Sequence, residues 1–324
     1  MFQALQLTDK DTIALTQLNE TDLPEGDVTV AVSYSTINYK DALAVTGSAP
    51  IAKSYPMVPG IDFSGVVTQS DDPTYAVGDK VVLNGWGVGE KHWGGFAQQA
   101  RVKGKWLIKL PKGLSEADAM RIGTAGYTAM LCCNALRSHD ITPDSGPIIV
   151  SGATGGVGGI AVYILAKRGY DVHALSGKPE QTEYLMKLGA KAVIDRKDYA
   201  EKARALGQQL WAGAVDVAGS HTLANIIANT QYGGVVTACG LAQGMDLPSS
   251  VAPFILRGVS LVGVDSVYCP VAKRQAAWND LAAEMDIAQL SDIAHTIGLD
   301  GVEAASKALM AGTVTGRYLV DVQK

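Results

Sequence analysis

The segment that most restricts this chain is Ile148-Ile149-Val150-Ser151-Gly152-Ala153-Thr154-Gly155-Gly156-Val157-Gly158-Gly159, where a β-branched apolar run breaks into glycines and then opens a helical pattern. Ile148 to Val150 suit a buried strand. Glycines at 152, 155, 156 and 158 permit a tight turn and the close approach of a pyrophosphate to backbone N–H groups. From Gly158 to Arg168 the apolar Ile160, Ala161, Ile164 and Leu165 recur at helical spacing, so a helix N-terminus with unpaired donors and partial positive charge points at that pyrophosphate. The spacing Gly-x-x-Gly-Gly-x-Gly is a variant of the dinucleotide fingerprint. The order strand, turn, helix is what gives the glycines their meaning.

Around this cradle the chain divides by pattern. Before it, Phe2 to Leu7, Asp27 to Tyr34, Gly65 to Thr68, Lys80 to Leu83, Gly95 to Arg101 and Trp106 to Lys109 read as short strands, with turns at Pro24-Glu25-Gly26, Pro59-Gly60, Asp71-Asp72-Pro73 and Gly78-Asp79. That predicts an irregular β-barrel. Ser115 caps a helix that begins at Glu116, and a second apolar helix follows from Gly123 to Leu136. Next come strands at 148–150, 171–176, 192–195, 214–217 and 235–239, separated by helix-length segments such as Glu180 to Leu188 and Thr222 to Asn229. Such alternation predicts an α/β fold with a parallel, doubly wound sheet, closed at its edge by Ser260 to Val264. Helices from Lys273 to Met285 and Gly301 to Gly312 and a last strand from Gly316 to Val322 complete the chain. The expected organisation is a first domain of residues 1–120 and 267–324 and a nucleotide-binding domain of residues 121–266.

At 324 residues, 47% hydrophobic and 18% charged, the chain can build two ordinary cores. Its net charge of -5 argues against a nucleic-acid surface, which needs a clustered positive field. No apolar run reaches about 18 residues and no basic-then-apolar leader opens the sequence, so no membrane partner is expected and a cytoplasmic location is. The four cysteines, at 132, 133, 239 and 269, form no Cys-x-x-Cys pair and have no histidine close by, which predicts reduced thiols and no metal.

The second strand of the parallel sheet chooses between nicotinamide cofactors. It ends Leu175-Ser176-Gly177-Lys178, with no acid to accept from a free ribose 2′-hydroxyl. A hydroxyl and an ammonium suit a 2′-phosphate, and Arg196 just past the third strand supplies a second, planar cation. The cofactor expected is NADPH.

The segments Pro59-Gly60-Ile61-Asp62-Phe63-Ser64-Gly65, Val77-Gly78-Asp79-Lys80-Val81, Gly95-Phe96-Ala97, Gly123-Thr124-Ala125-Gly126-Tyr127-Thr128-Ala129, the cradle and Gly316-Arg317-Tyr318-Leu319-Val320 together resemble the medium-chain dehydrogenase/reductase superfamily over nearly the whole chain. Within it, Asn38-Tyr39-Lys40-Asp41-Ala42-Leu43, the run from Gly85 to Gly95 and Pro253-Phe254-Ile255-Leu256-Arg257 are similar to the YhdH group of NADPH-dependent acryloyl-CoA reductases. The resemblance implies a GroES-like catalytic barrel joined to a Rossmann domain, and a homodimer paired through the edge strand. It also implies cofactor contacts from Thr154, Gly155, Gly156 and Val157 to the pyrophosphate, from Ser176, Gly177, Lys178 and Arg196 to the 2′-phosphate, and from Tyr39, Leu241, Ile255 and Ser266 along the nicotinamide half. Zinc enzymes of the superfamily carry a His-Glu pair after the glycine at position 60 and a cysteine near position 38. This chain has Ile61, Asp62 and Asn38 instead, and isoleucine cannot bind zinc.

The reaction this implies is NADPH-dependent reduction of an activated carbon–carbon double bond, with acryloyl-CoA to propanoyl-CoA as the expected case. Tyr39 is the candidate proton donor, Asn38 the orienter and Asp62 a third catalytic candidate, with Lys40 as a possible partner for Asp62 and Asp41 behind them. The run from Trp86 to Gly95 reads as a mobile loop at the mouth of an acyl pocket, with His92 its only group titrating near neutrality. Arg101, Lys103, Lys105 and Arg317 are possible partners for coenzyme A phosphates. The rival readings are an NADPH:quinone oxidoreductase and, in a different class, a non-catalytic NADPH-sensing protein.

Overall fold

The computed structural model describes residues 1–10, 12–288, 294–314 and 316–324. The chain forms two compact units, Met1–Thr124 with Val267–Lys324, and Ala125–Ser266. Among the described residues no helix is long and apolar enough to cross a membrane.

The first unit is β-rich. Strands β1 (Phe2–Leu7) and β2 (Ile13–Leu18) form an antiparallel pair with Phe2 opposite Leu18. A seven-stranded sheet contains β3 (Val28–Thr36), β4 (Asp62–Ser70), β5 (Lys80–Asn84), β6 (Gln99–Val102), β7 (Ile108–Lys109), β14 (Ala294–Ile297) and β15 (Arg317–Asp321). The order is β14-β15-β3-β4-β5-β7, with β6 also on β3, and β15 from the far end of the chain runs antiparallel to β3 with Leu319 opposite Thr36. Alternation explains the core: Val28, Val30 and Val32 point inward with Phe63, Val81, Leu83, Phe96 and Val320, each essentially unexposed. Burying one such side chain stabilises by about 1.5–3 kcal/mol. The strand expected from Gly95 starts only at Gln99, because the N–H groups of Gly94, Gly95 and Phe96 donate instead to the carbonyls of Val58, Gly60 and Pro59.

Helix α1 (Tyr39–Val45) was not anticipated from the sequence, although Asn38 and Asp41 form the capping box that starts it. Ser115 does cap α2 (Glu116–Ser138), its Oγ accepting from the Asp118 N–H at 3.2 Å while Asp118 accepts from the Ser115 N–H at 3.0 Å. Non-helical backbone at Gly123 (φ 54°, ψ -165°) breaks this helix in two.

The second unit is a six-stranded parallel sheet, β8 (Ile148–Val150), β9 (Val172–Ser176), β10 (Ala192–Asp195), β11 (Trp211–Asp216), β12 (Thr230–Ala238) and β13 (Ser260–Gly263), in the order β10-β9-β8-β11-β12-β13. Helices α3 (Gly156–Lys167), α4 (Thr182–Lys187), α5 (Ser220–Ala228) and α6 (Ala252–Arg257) connect the strands. Near-continuous apolar strands such as Ile148–Val150 are what a sheet covered on both faces demands. Ile149, Leu175, Ala214, Ile226, Ile227 and Val236 form its core. Two further helices, α7 (Val271–Glu284) and α8 (Val302–Met310), belong to the first unit.

Candidate functional site

In the parallel-sheet unit, the strand ends carry the cradle. Gly152 adopts φ +55° and α3 starts at Gly156, two residues earlier than the apolar spacing indicates, with Gly155 as N-cap. A Cβ on Gly158 would lie 2.3 Å from the Gly152 carbonyl oxygen, so only hydrogen fits where helix and turn cross. Beneath the turn, Ser151 Oγ donates to Asp216 Oδ1 at 2.6 Å and accepts from the Val217 N–H at 2.9 Å, while Asp216 Oδ2 accepts from the Gly219 N–H at 2.8 Å. Burial pushes the Asp216 carboxyl above its usual range, and these donors hold it down.

Ser176, Gly177, Lys178 and Arg196 are brought together. Register pairs Asp195 with Ser176, so Arg196 leaves its strand beside the end of β9, and its guanidinium carbon lies 3.0 Å from where a Gly177 Cβ would be. The acid next to it, Asp195, accepts from the Lys197 N–H at 2.9 Å and caps a 3₁₀ turn. Leu241 follows β12, Ser266 follows β13, and Ile255 sits on α6; Leu241 and Ile255 are exposed. The backbone and cationic groups fit a phosphorylated dinucleotide: a glycine-lined turn at a helix N-terminus, and the Arg196 guanidinium against Gly177 at the end of the second strand, next in sequence to Lys178.

In the β-rich unit, polar groups from five separate segments converge in the interior. Asn38 Nδ2 lies 2.9 Å from Asp62 Oδ2, 3.2 Å from Asp41 Oδ2 and 3.2 Å from Thr36 Oγ1. Asp62 Oδ2 also accepts from the Thr124 N–H at 2.8 Å, and Asp41 accepts from the Ile61 N–H at 2.8 Å and the Asn38 N–H at 2.8 Å. Arg317 Nη2 donates to Thr36 Oγ1 at 3.1 Å. Asn84, opposite Asp62 in the β4–β5 register, donates from Nδ2 to Thr124 Oγ1 at 3.1 Å. Asp41, Asp62 and Arg317 are all buried. Burial, and then the neighbouring Asp62, raise the Asp41 carboxyl to about 7, against hydrogen bonds from Asn38 and Ile61 that lower it. Burial lowers the Arg317 guanidinium, and Asp62 and Asp41 oppose that. Asp62 Oδ1 is sealed from solvent with no hydrogen-bond partner.

Several expectations are corrected. Lys40 is not the partner of Asp62: its Nζ pairs with Glu90 at 2.9 Å, and the cation beside Asp62 is Arg317. Arg317 in turn is not a surface cation for a coenzyme phosphate, because β15 carries it inside. The run from Trp86 to Gly95 is hydrogen-bonded within itself and to its surroundings: Gly89 N–H donates to the His92 carbonyl at 2.8 Å, Lys91 N–H to the Gly87 carbonyl at 2.8 Å and Trp93 Nε1 to the Pro56 carbonyl at 3.1 Å. His92 Nε2 donates to the Arg101 carbonyl at 2.7 Å, and burial lowers its imidazole, so it serves the loop as a neutral donor. Tyr39 begins α1 and is 51% exposed, outside the hydrogen-bonded cluster. Thr36, Asn84 and Thr124 escaped sequence reasoning; a polar Asn closing the apolar strand Val81-Val82-Leu83 is the one signal that pointed to any of them.

The chain belongs to the medium-chain dehydrogenase/reductase superfamily. An alcohol dehydrogenase GroES-like domain matches residues 24–112 and a zinc-binding dehydrogenase domain matches residues 156–285. The probable acrylyl-CoA reductase AcuI of Escherichia coli is 50% identical, with 99% of each chain covered. The yhdH oxidoreductase from Salmonella enterica, solved in complex with NADP, is 49% identical over 99% of each chain with a TM-score of 0.96. The putative quinone oxidoreductase YhfP of Bacillus subtilis is 43% identical, covering 99% of this chain and 98% of its own. Despite the second domain's description, zinc does not fit here: Ile61 offers no donor atom, Asp62 spends Oδ2 on Asn38 and Thr124, and among the described residues no three His, Cys, Asp or Glu side chains converge on a point.

Proposed function

We propose that this protein is a zinc-independent, NADPH-dependent reductase of an activated carbon–carbon double bond, with acryloyl-CoA as its substrate and propanoyl-CoA as its product. The observation that carries the reading is the Asp62 position, where a buried guanidinium and two hydrogen-bond donors stand around a carboxylate in a superfamily whose other branch binds metal there. With no Lewis acid to hold an alkoxide, the acceptor must carry its own activation, as an alkene polarised by a thioester carbonyl does. The name of the E. coli relative supports the same substrate.

Thr154, Gly155, Gly156 and Val157 line the pyrophosphate site, where the Thr154 hydroxyl can donate to a phosphate oxygen while the Gly155 N–H closes the turn on the Gly152 carbonyl at 2.9 Å; Ser176, Gly177, Lys178 and Arg196 bind the 2′-phosphate, with Leu241, Ile255 and Ser266 along the nicotinamide half. When bound, the cofactor supplies a hydride to the β-carbon of the alkene. The half-exposed phenol of Tyr39 donates the proton that the α-carbon then takes up. Asn38 has its amide hydrogens engaged with Asp62, Asp41 and Thr36, so its role is to set the start of α1, and with it Tyr39, rather than to meet substrate. Asp62 holds Asn38 and the backbone at Thr124 in place.

The specificity constants for acryloyl-CoA and for a small quinone, each with NADPH, test this reading. A preference for acryloyl-CoA supports it, and a preference of about a hundredfold for the quinone, some 3 kcal/mol in transition-state binding, overturns the substrate. The quinone reading is kept because of the B. subtilis relative's name. Turnover of NADPH with either acceptor separates an enzyme from a cofactor sensor, and unchanged turnover in Tyr39→Phe removes Tyr39 from the chemistry. The free thiols accord with a reducing compartment, the cytoplasm. Exposed Val251 and Leu256 near β13, the edge strand of the sheet among the described residues, favour a homodimer, which light scattering measures directly.

A further inference from the structure

Trp86 stands where a bulky residue is least at ease. Its φ of +57° lies in the left-handed region, and the neighbours that share that region, Gly85, Gly87 and Gly89 at +77°, +80° and +76°, are all glycines. A side chain of this size at such a position is strain that its surroundings must hold. Core burial gives little in return. The core of this unit takes in Val88 and packs Trp93 and Trp106 against it, while Trp86 is outside it and only half-buried. Hydrogen bonding does not hold the ring either, since its Nε1 is sealed from solvent without an acceptor.

What holds the ring is Arg274. Its guanidinium, fully buried on α7, sits 5.0 Å from the Trp86 ring centroid. Nη1 donates to the Asn84 carbonyl at 2.7 Å, and Nη2 donates at 3.1 Å to the Val267 carbonyl, which also accepts the Trp86 N–H at 3.0 Å. Tyr268, itself exposed, meets the indole edge-on with centroids 6.2 Å apart. The mount is continuous with the buried polar cluster: Trp278 Nε1 donates to Asn84 Oδ1 at 3.1 Å, Asn84 donates to Thr124, and the Thr124 N–H donates to Asp62. A buried cation and a strained turn, both costly, thus fix the orientation of one half-buried indole two residues from Asn84.

We propose that Trp86 is a specificity-determining wall of the acceptor site, taking a planar conjugated group against its indole face, and that Arg274 is the positioning residue that sets it. The inference rests on the reductase reading above. An enoyl thioester is flat and electron-poor and stacks on the electron-rich indole; the saturated product is no longer flat at its α- and β-carbons and loses that contact.

The test compares wild type with Trp86→Leu, Trp86→Phe, Arg274→Met and Arg274→Lys, using acryloyl-CoA and NADPH. Trp86→Leu should raise the KM for acryloyl-CoA about tenfold, with Trp86→Phe close to wild type and the KM for NADPH unchanged. Arg274→Met should raise the same KM and shift the Trp86 emission, isolated by subtracting the spectrum of Trp86→Phe, and Arg274→Lys should recover part of both. A Trp86→Leu variant with wild-type melting temperature and wild-type acceptor KM overturns the proposal, as does an Arg274→Met variant that melts earlier but binds acceptor normally. If Arg274→Met does not fold, Trp86→Leu decides alone. Failure of the reductase reading appears in the wild type: if it reduces only a quinone, also a planar acceptor, the variants are judged on that quinone, and if it reduces neither, both conclusions fall.

Discussion

The cradle of the parallel-sheet unit and the polar cluster of the β-rich unit answer one need, holding charge inside a protein, with opposite materials. The cradle is made of backbone: glycines remove side chains so that N–H groups at the start of α3 face outward, and the buried Ser151–Asp216 pair supports the turn from below. The cluster is made of side chains: the Asn38 amide bridges two buried carboxylates, a buried guanidinium lies beside them on the Thr36 hydroxyl, and Asp62 Oδ1 and Arg317 Nε are left over. A backbone site depends on shape, and its fold does not rest on a balance of buried charges. A side-chain site depends on balance, and removing one member leaves the others uncompensated.

Breaking that balance should give the largest effect. Arg317→Met leaves Asp41 and Asp62 without their cation, and we expect about 3–5 kcal/mol of lost stability in denaturant unfolding. Adding Asp41→Asn to it should recover part of the loss; a double variant no more stable than Arg317→Met alone argues against electrostatic balance as the cause. The comparison also has a pH signature. The Asp41 carboxyl is raised from 3.8 to about 7, so the folded state holds a proton that the unfolded state has released between those values. The stability it contributes is complete below about pH 4 and declines as pH rises towards 7, and Asp41→Asn should flatten that slope in midpoints measured from pH 4 to 8. Equal slopes in variant and wild type would contradict the assignment.

On the cradle side, Lys178→Ala and Arg196→Ala should each weaken NADPH by about tenfold or more, the worth of a charge-assisted hydrogen bond, and leave NADH nearly unchanged. Titration of both cofactors checks this, and parallel losses for the two would move the 2′-phosphate elsewhere. The smallest effect belongs to Lys40→Ala. Its pair with Glu90 is partly exposed, and its loss should cost less than about 1 kcal/mol.

How far each region could be read in advance follows from the same difference. Ile148–Val150, Ala192–Asp195 and Phe2–Leu7 fall where their apolar patterns put them. Strand β2, with exposed Ala14 and Leu15 and polar Thr16 and Gln17, lacks the alternation that marks a half-buried strand and was missed. Arg317 was misread for a related reason: beside Gly316 at the start of a strand, nothing local distinguishes an arginine aimed inward from one in water.

By itself the sequence determined the cradle and the alternation of strand and helix around it, because both depend on neighbours within a few residues, where glycine spacing and hydrophobic period act directly. It also determined that the end of the second strand lacks an acid. Only the tertiary structure decided that Arg317 rather than Lys40 stands by Asp62, that Asn84 and Thr124 complete the cluster, and that Arg274 sets Trp86. Arg317 and Thr36, the hydroxyl it donates to in that cluster, lie 281 residues apart in the chain. Which buried charge meets which is fixed by strand register and helix packing, and no local pattern encodes it.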